Sequence, residues 1–375
     1  MSATTAREST GSKPAVSEFI IDTDTHNFPT PADVIPFMPQ KWGSYLERFG
    51  LRTVGEFGIP RARLMAARGD AWSPAGRPPG NDPEFFLEQL VDKYDIDATI
   101  LNNSAMYFTG MMGGNQPFAL TAAFMAAAND WAAAEWLPVD ERYFSSISVA
   151  VEDPKATVAE IERWGGHDRF VHLGLPFTTR NPLGTPKYWP MFEAAEHFDL
   201  PVSMHPGNAP NPLTGSGWPS FYFEDHTCRP APVVAQIASL ISERIFERFP
   251  NLKFVVQEGG WSWVRPYLWH LDSVWRQLRD EEPYEFERPP SEYIDEHFWF
   301  TSQPMEEPEK RGQFQESLEI FGHPERIMFA SDYPHWDFDP PDKALPTSLS
   351  KELREAILGR TAAQLYPTLP QPADA

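Results

Sequence analysis

Short apolar runs alternate with segments of helical periodicity along most of the chain. Eight runs are predicted to be strands, because a strand covered on both faces is continuously hydrophobic; they are 19–24, 98–104, 144–150, 170–176, 201–207, 253–260, 297–303 and 327–334. Helical segments fit between most of them, including 117–137, 154–164, 187–198, 230–248 and 261–279. Strand–helix alternation repeated eight times predicts parallel pairing and a (β/α)8 barrel.

The spacing of these elements predicts the domain organisation. Roughly 70 residues separate the first two strands, too many for one crossover helix, so residues 28–97 are expected to form an insertion that acts as a lid over the barrel mouth. Residues 1–17 contain no apolar run, which excludes a secretory signal and favours a flexible tail. The remainder, 18–370, is predicted to be a single barrel domain.

Several predicted strands end in polar side chains. Asp24 and His26 end the first strand at alternate positions and therefore share a face, while His205, Glu258 and Asp332 end strands 5, 6 and 8. Active sites of (β/α)8 barrels lie at the carboxyl ends of the strands. Strand 8 neighbours strand 1 in a closed barrel and strand 5 faces it, so the two carboxylates and two imidazoles of these three strands should converge. Such a set suits a divalent cation.

Composition and motifs exclude several classes of binding partner and of enzyme. The net charge of −22 argues against nucleic-acid and anionic membrane binding. The most membrane-like segment, 117–137, contains Asn129, Asp130 and Glu135, which favours a soluble helix over a membrane span. Cys228 is the single cysteine, so the sequence predicts no disulfide framework and suits a cytoplasmic location. The sequence contains no G-x-S-x-G, P-loop or G-x-G-x-x-G motif, which disfavours serine hydrolases and nucleotide binders.

Four motifs carry a resemblance to a known family. They are IDTDTHNFP at 21–29, MHPGN at 204–208, IFERFPNLKFVVQEGGWSWV at 245–264 and RIMFASDYPHWD at 326–337. Over about residues 19–366 the chain resembles the amidohydrolase-related proteins, in the branch that includes aminocarboxymuconate-semialdehyde decarboxylase. The resemblance implies a metal-dependent (β/α)8 barrel, often a homodimer, with one divalent ion and no organic cofactor. Its members hydrolyse C–N, C–O or C–C bonds of small molecules, or remove CO2.

The resemblance also implies roles for the residues at the strand ends. Asp24, His26, His205 and Asp332 correspond to the metal ligands, and Asp332 also to the acid/base. Asp24 stands where the family usually has a histidine, and Glu258 stands where the family usually has a catalytic histidine. Zinc is the first expectation for the metal, although the added oxygen ligands make manganese or magnesium credible.

Three functions are compatible with this set of residues. The first expectation is a hydrolase of a small, aromatic or cyclic substrate that uses a metal-activated water, with Asp332 transferring protons and His205 and Glu258 steadying the oxyanion. The alternative is a non-oxidative decarboxylase in which Asp332 or Glu258 protonates the carbon that loses CO2. A metal-free lactonase or a non-catalytic barrel is the second alternative.

The substrate pocket is predicted from aromatic and basic residues near the strand ends. Five aromatic residues follow strands 1, 6 and 8, and they favour a flat substrate: Phe28, Trp261, Trp263, Tyr333 and Trp336. Arg229 or Arg180 is a candidate for binding a substrate carboxylate. His335 and His226 are candidate proton carriers, and His172, inside strand 4, is interpreted as structural.

Overall fold

The computed structural model describes residues 18–50, 66–105, 117–207, 217, 219–281, 288–310 and 312–373. The predicted tail at 1–17 lies outside the described residues. The eight strands are β1 (Ile21–Thr25), β2 (Ala98–Leu101), β3 (Tyr143–Ser148), β4 (Phe170–Pro176), β5 (Val202–His205), β6 (Phe254–Val256), β7 (Phe298–Thr301) and β8 (Ile327–Met328). They form one parallel sheet in the order of the chain.

Backbone hydrogen bonds close the sheet between its first and last strands. The segment that follows β8 runs beside β1, where Thr25 and Tyr333 form a parallel bridge. The Thr23 amide donates to Phe329 O at 3.0 Å, and the Asp332 amide donates to Asp24 O at 2.9 Å. The predicted (β/α)8 barrel is confirmed as a nearly closed ring.

Helices occupy the connections between the strands, as the periodicity predicts. The α-helices are Pro31–Val34, Gln40–Phe49, Pro83–Phe86, Phe118–Trp131, Pro154–Trp164, Trp189–His197, Tyr222–Thr227, Pro230–Ser242, Ile245–Arg248, Val264–Leu278, Pro290–His297, Gln313–Phe321, Lys351–Glu355 and Thr361–Leu365. Single 3-10 turns span Ile35–Phe37, Pro186–Tyr188 and Pro324–Arg326, and π turns span Leu87–Val91, Ala132–Trp136 and Ala356–Arg360. The predicted helix at 230–248 breaks in two at Arg244, whose φ of 57° is left-handed.

The predicted insertion lies partly outside the described residues, because 51–65 are not among them. Its described part touches the ends of β1 and β8. The Phe28 amide donates to Gly80 O at 2.7 Å, and Ala67 forms an antiparallel bridge with His335. A Cβ on Gly80 would lie 2.5 Å from His26 O, so this position requires glycine. A lid function for 28–97 stays a prediction.

The amino-terminal part of the barrel interior is apolar. Side chains from the strands pack there against the C-terminal segment, and the cluster consists of Ile21, Ala98, Ile100, Phe144, Val171, Val255, Met328, Ala362, Ala363, Leu365, Tyr366 and Leu369. This packing places the last described helix across the end of the barrel opposite the strand ends that carry the polar residues. Among the described residues, no helix is long and apolar enough to cross a membrane.

Candidate metal centre

The five polar strand-end residues lie together at the carboxyl end of the barrel. Asp24 and His26 are at the end of β1, His205 is the last residue of β5, and Glu258 and Asp332 follow β6 and β8. Each is exposed by 1% or less. Asp24, His26, His205 and Glu258 offer ligand atoms within 4.8 Å of one another, and His26 and Glu258 form a second such group with Asp332 and His335.

The two imidazole Nε2 atoms face carboxylate oxygens. His26 Nε2 lies 2.9 Å from Asp332 Oδ1, 3.4 Å from Asp24 Oδ1 and 3.7 Å from Glu258 Oε1. His205 Nε2 lies 2.6 Å from Glu258 Oε1 and 3.6 Å from Asp24 Oδ2. The structure therefore brings all four predicted metal ligands, and Glu258, around one small volume.

The opposite ring nitrogens fix the orientation of both imidazoles. Nδ1 of His26 lies 3.1 Å from the Asn102 carbonyl, and Nδ1 of His205 lies 2.6 Å from the Pro206 carbonyl. A carbonyl can only accept, so each Nδ1 carries a hydrogen, and in the neutral ring Nε2 then has a lone pair. Burial lowers the pKa of His205 to about 4, so its ring is neutral at pH 7. The 2.6 Å contact between His205 Nε2 and Glu258 Oε1 therefore brings two acceptors together, and a cation bound by both atoms would relieve their repulsion.

Three carboxylate oxygens of the cluster make no hydrogen bond. They are Asp24 Oδ2, Glu258 Oε1 and Asp332 Oδ2. An unsatisfied buried charge costs several kcal/mol, on the order of 2–5, unless a cation compensates it. Oxygen atoms without partners beside imidazole lone pairs fit a divalent metal ion, and the mixed oxygen and nitrogen set suits manganese, zinc or magnesium.

The pKa values of the cluster show the same competition between burial and charge. Burial raises the pKa of Asp24, while His205 and His26 oppose the shift. Burial would lower the pKa of His26, but Asp24 and Asp332 outweigh it and raise the pKa. Burial would likewise raise the pKa of Asp332, but the His335 and His26 imidazoles hold it below its usual range. The carboxylates thus attract positive charge, which a bound metal ion would supply.

Two of the cluster residues have a strained backbone. Glu258 has a φ of 50° and Asp332 a φ of 60°, both in the left-handed region that residues with a side chain rarely adopt. Each amide is held, Glu258 N by Thr301 Oγ1 at 3.2 Å and Asp332 N by Asp24 O at 2.9 Å. Strain of this kind, about 1–3 kcal/mol per residue, is typical of functional sites.

Aromatic side chains stand beside the cluster. His335 Nδ1 lies 2.6 Å from Asp332 Oδ1, and the His335 ring lies 4.6 Å from the His26 ring and 5.8 Å from the Phe28 ring. Further along the same loop, Trp336 Nε1 donates to the Tyr222 hydroxyl at 3.3 Å. Phe28 and His335 therefore lie at the cluster, and Trp336 directly follows His335 in the sequence.

The other predicted pocket residues are placed differently. Arg229 Nη1 pairs with Glu258 Oε2, and Arg229 Nε is buried without a hydrogen bond. The Trp261 ring is fully buried against Phe314 and Phe321. Trp263 Nε1 donates to Gly259 O at 2.8 Å. Arg180 is exposed.

Sequence reasoning missed two residues, Asn102 and Asp337, although it named His226, the partner of Asp337. Asn102 Nδ2 donates to Asp24 Oδ1 at 2.7 Å, and Asn102 also follows a strand, so the same strand-end pattern could have revealed it. His226 Nε2 lies 2.9 Å from Asp337 Oδ2. Asp337 carries no comparable signal in the sequence, because its position depends on the fold of the loop after β8.

The fold and the sequence both match known proteins. The amidohydrolase family pattern matches residues 21–368. Gamma-resorcylate decarboxylase of Polaromonas sp. is 25% identical over 301 residues, which cover 74% of this chain and 85% of that protein. The 2-amino-3-carboxymuconate-6-semialdehyde decarboxylase of Dictyostelium discoideum is 24% identical over 188 residues, 48% of each chain.

A crystal structure has the same fold. It is that of a dihydroxybenzoic acid decarboxylase from Polaromonas sp. with bound manganese and the inhibitor 2-nitroresorcinol, and it matches 94% of this chain and 98% of its own with a TM-score of 0.65 at 19% identity. The resemblance inferred from the four motifs is confirmed. The chain belongs to the amidohydrolase family, in the branch that includes the aminocarboxymuconate-semialdehyde decarboxylases.

Proposed function

We propose that the protein is a metal-dependent, non-oxidative decarboxylase of a hydroxylated aromatic acid. The observation that carries this proposal is the buried cluster of imidazoles and partnerless carboxylate oxygens at the carboxyl end of the barrel. The cluster alone would serve hydrolysis equally well. The named relatives are decarboxylases, which favours the alternative over the hydrolase that we expected first. It also disfavours a metal-free lactonase and a barrel without chemistry.

The proposed metal ligands are Asp24, His26, His205 and Asp332, with Glu258 beside them. A bound divalent ion would neutralise these carboxylates and polarise the oxygen atoms of a substrate. Manganese replaces zinc as the first candidate, because manganese is the ion in the related decarboxylase structure and oxygen ligands suit it.

Substrate binding is assigned to groups at the rim of the centre. The Phe28 ring, 6.0 Å from the His26 ring, offers a flat apolar surface to an aromatic ring. The buried Arg229 Nε has no hydrogen bond, so it is a donor for an oxygen atom of an acidic substrate. Arg229 also fixes Glu258 through its Nη1, which leaves Glu258 to orient the site rather than to exchange protons.

Asp332 is the proposed proton donor. In the free site the His26 and His335 imidazoles favour its ionised form, so Asp332 takes up a proton when the negative charge of an acidic substrate raises its pKa. His26 and His335 both contact Oδ1, whereas Oδ2 makes no hydrogen bond, so Oδ2 is the atom from which a proton can move. The bond between the ring carbon and the carboxylate breaks, its electron pair stays on the ring carbon, and that carbon takes the proton while CO2 leaves. His335, whose side chain is partly exposed, then passes a proton to Asp332 across their 2.6 Å contact and takes up another from solvent.

The first test is a substrate panel on protein loaded with Mn²⁺. Dihydroxybenzoates and carboxylated methoxyphenols are assayed for CO2 release, and aryl amides and lactones are assayed for hydrolysis. The proposal expects CO2 release from at least one hydroxylated aromatic acid. Hydrolysis of an amide or lactone, without CO2 release from any acid, would restore the hydrolase interpretation.

The second test is Asp332→Asn. Asparagine keeps the size of the side chain and tolerates the left-handed backbone, but it cannot donate the proton, so we expect kcat to fall by about 10²–10⁴-fold. Asp199→Asn is the matched control, because Asp199 also has a left-handed φ, of 51°, yet pairs with Lys253 at the surface. Wild-type turnover by Asp332→Asn would remove Asp332 from the mechanism.

A homodimer and a cytoplasmic location stay predictions, as do the roles given to individual residues. The oligomeric state of the purified protein tests the homodimer, and fractionation of the cells that contain the protein tests its location.

A further inference from the structure

A continuous line of hydrogen bonds connects the two ends of the barrel interior. Tyr366 reaches up from the C-terminal segment to His172 of β4, His172 contacts Asn102 after β2, and Asn102 contacts Asp24. We propose that Tyr366 and His172 are positioning residues for the metal ligand Asp24, and that they act through Asn102. The inference rests on the proposed metal centre and goes beyond the ligands themselves.

The contacts are short and buried along their whole length. The Tyr366 hydroxyl lies 3.1 Å from His172 Nδ1, His172 Nε2 lies 2.8 Å from Asn102 Oδ1, and Asn102 Nδ2 lies 2.7 Å from Asp24 Oδ1. All four residues are exposed by 1% or less. Water therefore does not compete for these groups, and each hydrogen bond constrains the next.

The direction of every hydrogen bond in the line is determined. The Asp24 carboxylate accepts, so the Asn102 amide nitrogen donates to it and the Asn102 amide oxygen remains as an acceptor. His172 Nε2 must then donate to Asn102. Burial lowers the pKa of His172 to about 3, so the ring is neutral and its Nδ1 accepts. The Tyr366 hydroxyl consequently donates to His172, and the line runs in one direction from Tyr366 to Asp24.

Asn102 serves both ligands of β1. Its side chain holds Asp24 Oδ1, and its backbone carbonyl accepts from His26 Nδ1 at 3.1 Å. The first contact leaves Asp24 Oδ2, which makes no hydrogen bond, on the side of His205. The second directs His26 Nε2 toward the carboxylates. A displacement of Asn102 would therefore disturb both ligands together.

His172 holds the Asn102 amide oxygen, while the Thr23 carbonyl accepts from the Asn102 amide nitrogen at 3.3 Å, and together they determine which way the amide faces. If His172 could not donate, the amide could rotate by half a turn and present its oxygen to Asp24, where two acceptors would repel each other. Tyr366 prevents this indirectly, because its hydroxyl keeps the His172 hydrogen on Nε2. Groups that orient metal ligands in this manner typically contribute about 10–100-fold to metal affinity.

The test compares two buried tyrosine hydroxyls. Tyr366→Phe removes the end of the line and leaves the ring in the apolar cluster. Tyr143→Phe is the matched control, since the Tyr143 hydroxyl is also buried and donates to the Pro83 carbonyl at 2.7 Å, far from the centre in the fold. Mn²⁺ affinity is measured by titration calorimetry, and the environment of bound Mn²⁺ is measured by electron paramagnetic resonance.

We expect Tyr366→Phe to weaken Mn²⁺ binding by about 3–10-fold and to change the resonance spectrum, and Tyr143→Phe to do neither. Equal Mn²⁺ affinity and spectra in both variants would overturn the proposal while leaving the metal centre intact. Failure of the wild-type protein to bind Mn²⁺ would instead refute the metal centre, and this inference with it.

A second pair of variants covers the case in which Tyr366→Phe does not fold. His172→Gln retains one donor and one acceptor, so it should keep Mn²⁺ affinity within about 3-fold of wild type, whereas His172→Leu retains neither and should lose about 10-fold or more. Equal affinity of the two His172 variants would also overturn the proposal.

Discussion

The two ends of the barrel interior are built on opposite principles. At the carboxyl end, buried imidazoles and carboxylates crowd together, three oxygens lack hydrogen bonds, and Glu258 and Asp332 have left-handed backbones. At the amino end, aliphatic and aromatic side chains pack against the C-terminal segment. The apolar packing at the amino end stabilises the fold, whereas the buried charges and strained backbone at the carboxyl end reduce stability. This division between a stabilising end and a chemical end is common in (β/α)8 enzymes.

The separation is incomplete at one place. Tyr366 belongs to the apolar cluster by its ring and to the polar line by its hydroxyl. Substitutions in the two regions should therefore have separable effects on stability and metal binding, except along this line.

The largest effect is expected from removing the ligands of β1. Asp24→Ala/His26→Ala should weaken Mn²⁺ binding by at least about 100-fold and abolish turnover, while the free energy of unfolding without metal stays within about 1 kcal/mol of wild type, because uncompensated charge is removed as well. Calorimetric titration and urea unfolding measure the two quantities.

The matched control for that variant is His323→Ala/Glu325→Ala. These residues have the same spacing and a 2.9 Å contact but lie at the surface. Normal Mn²⁺ binding by the β1 variant would mean that the centre is held by other residues.

At the amino end, a substitution is expected to change stability and to leave Mn²⁺ binding nearly unchanged. Met328 is fully buried in the apolar cluster, so Met328→Ala should lower the free energy of unfolding by about 2–5 kcal/mol. Mn²⁺ affinity should change by less than about 3-fold, because no polar contact is lost. A parallel loss of stability and Mn²⁺ affinity would show that the two ends are not independent.

The smallest effect is expected from pH and arises at His172. Its pKa is about 3 in the folded protein and about 6.5 in the unfolded chain, so between these values the unfolded chain binds more protons and stability falls as the pH is lowered. From pH 7 to pH 5, wild type should lose about 2 kcal/mol more than His172→Gln. Urea unfolding of both proteins at the two pH values measures this difference, and identical pH dependence would contradict a neutral, buried His172.

Much of the site could be predicted from the sequence by one rule, that polar residues at the carboxyl ends of the strands form the active site of a (β/α)8 barrel. We call it the strand-end rule. Every strand is short, parallel and covered on both faces, so its hydrophobic run and its polar end are both visible in the sequence. The same rule predicted Asp24, His26, His205, Glu258 and Asp332 and the structure brings them together. It would have included Asn102 had amides been considered together with ionisable residues.

The rule does not extend past the strand ends, where backbone conformation decides direction. After β6, Glu258 and Gly260 both have positive φ, and the Trp261 ring that follows them packs against Phe314. Tyr366 is even less predictable, because its partner His172 is 194 positions away and only the closed barrel brings them together.

The seam between β8 and β1 has a consequence for the assembly of the site. His26 and Asp332 are 306 positions apart, and they meet only when the last strand docks beside the first. Contacts of such long range form late in folding, because the entropy of closing the loop must be overcome first. A fragment that lacks β1 or β8 cannot bring the proposed ligands together. During synthesis, a metal ion could therefore bind the full ligand set only after β8 has docked beside β1, and metal binding would indicate that the barrel has closed.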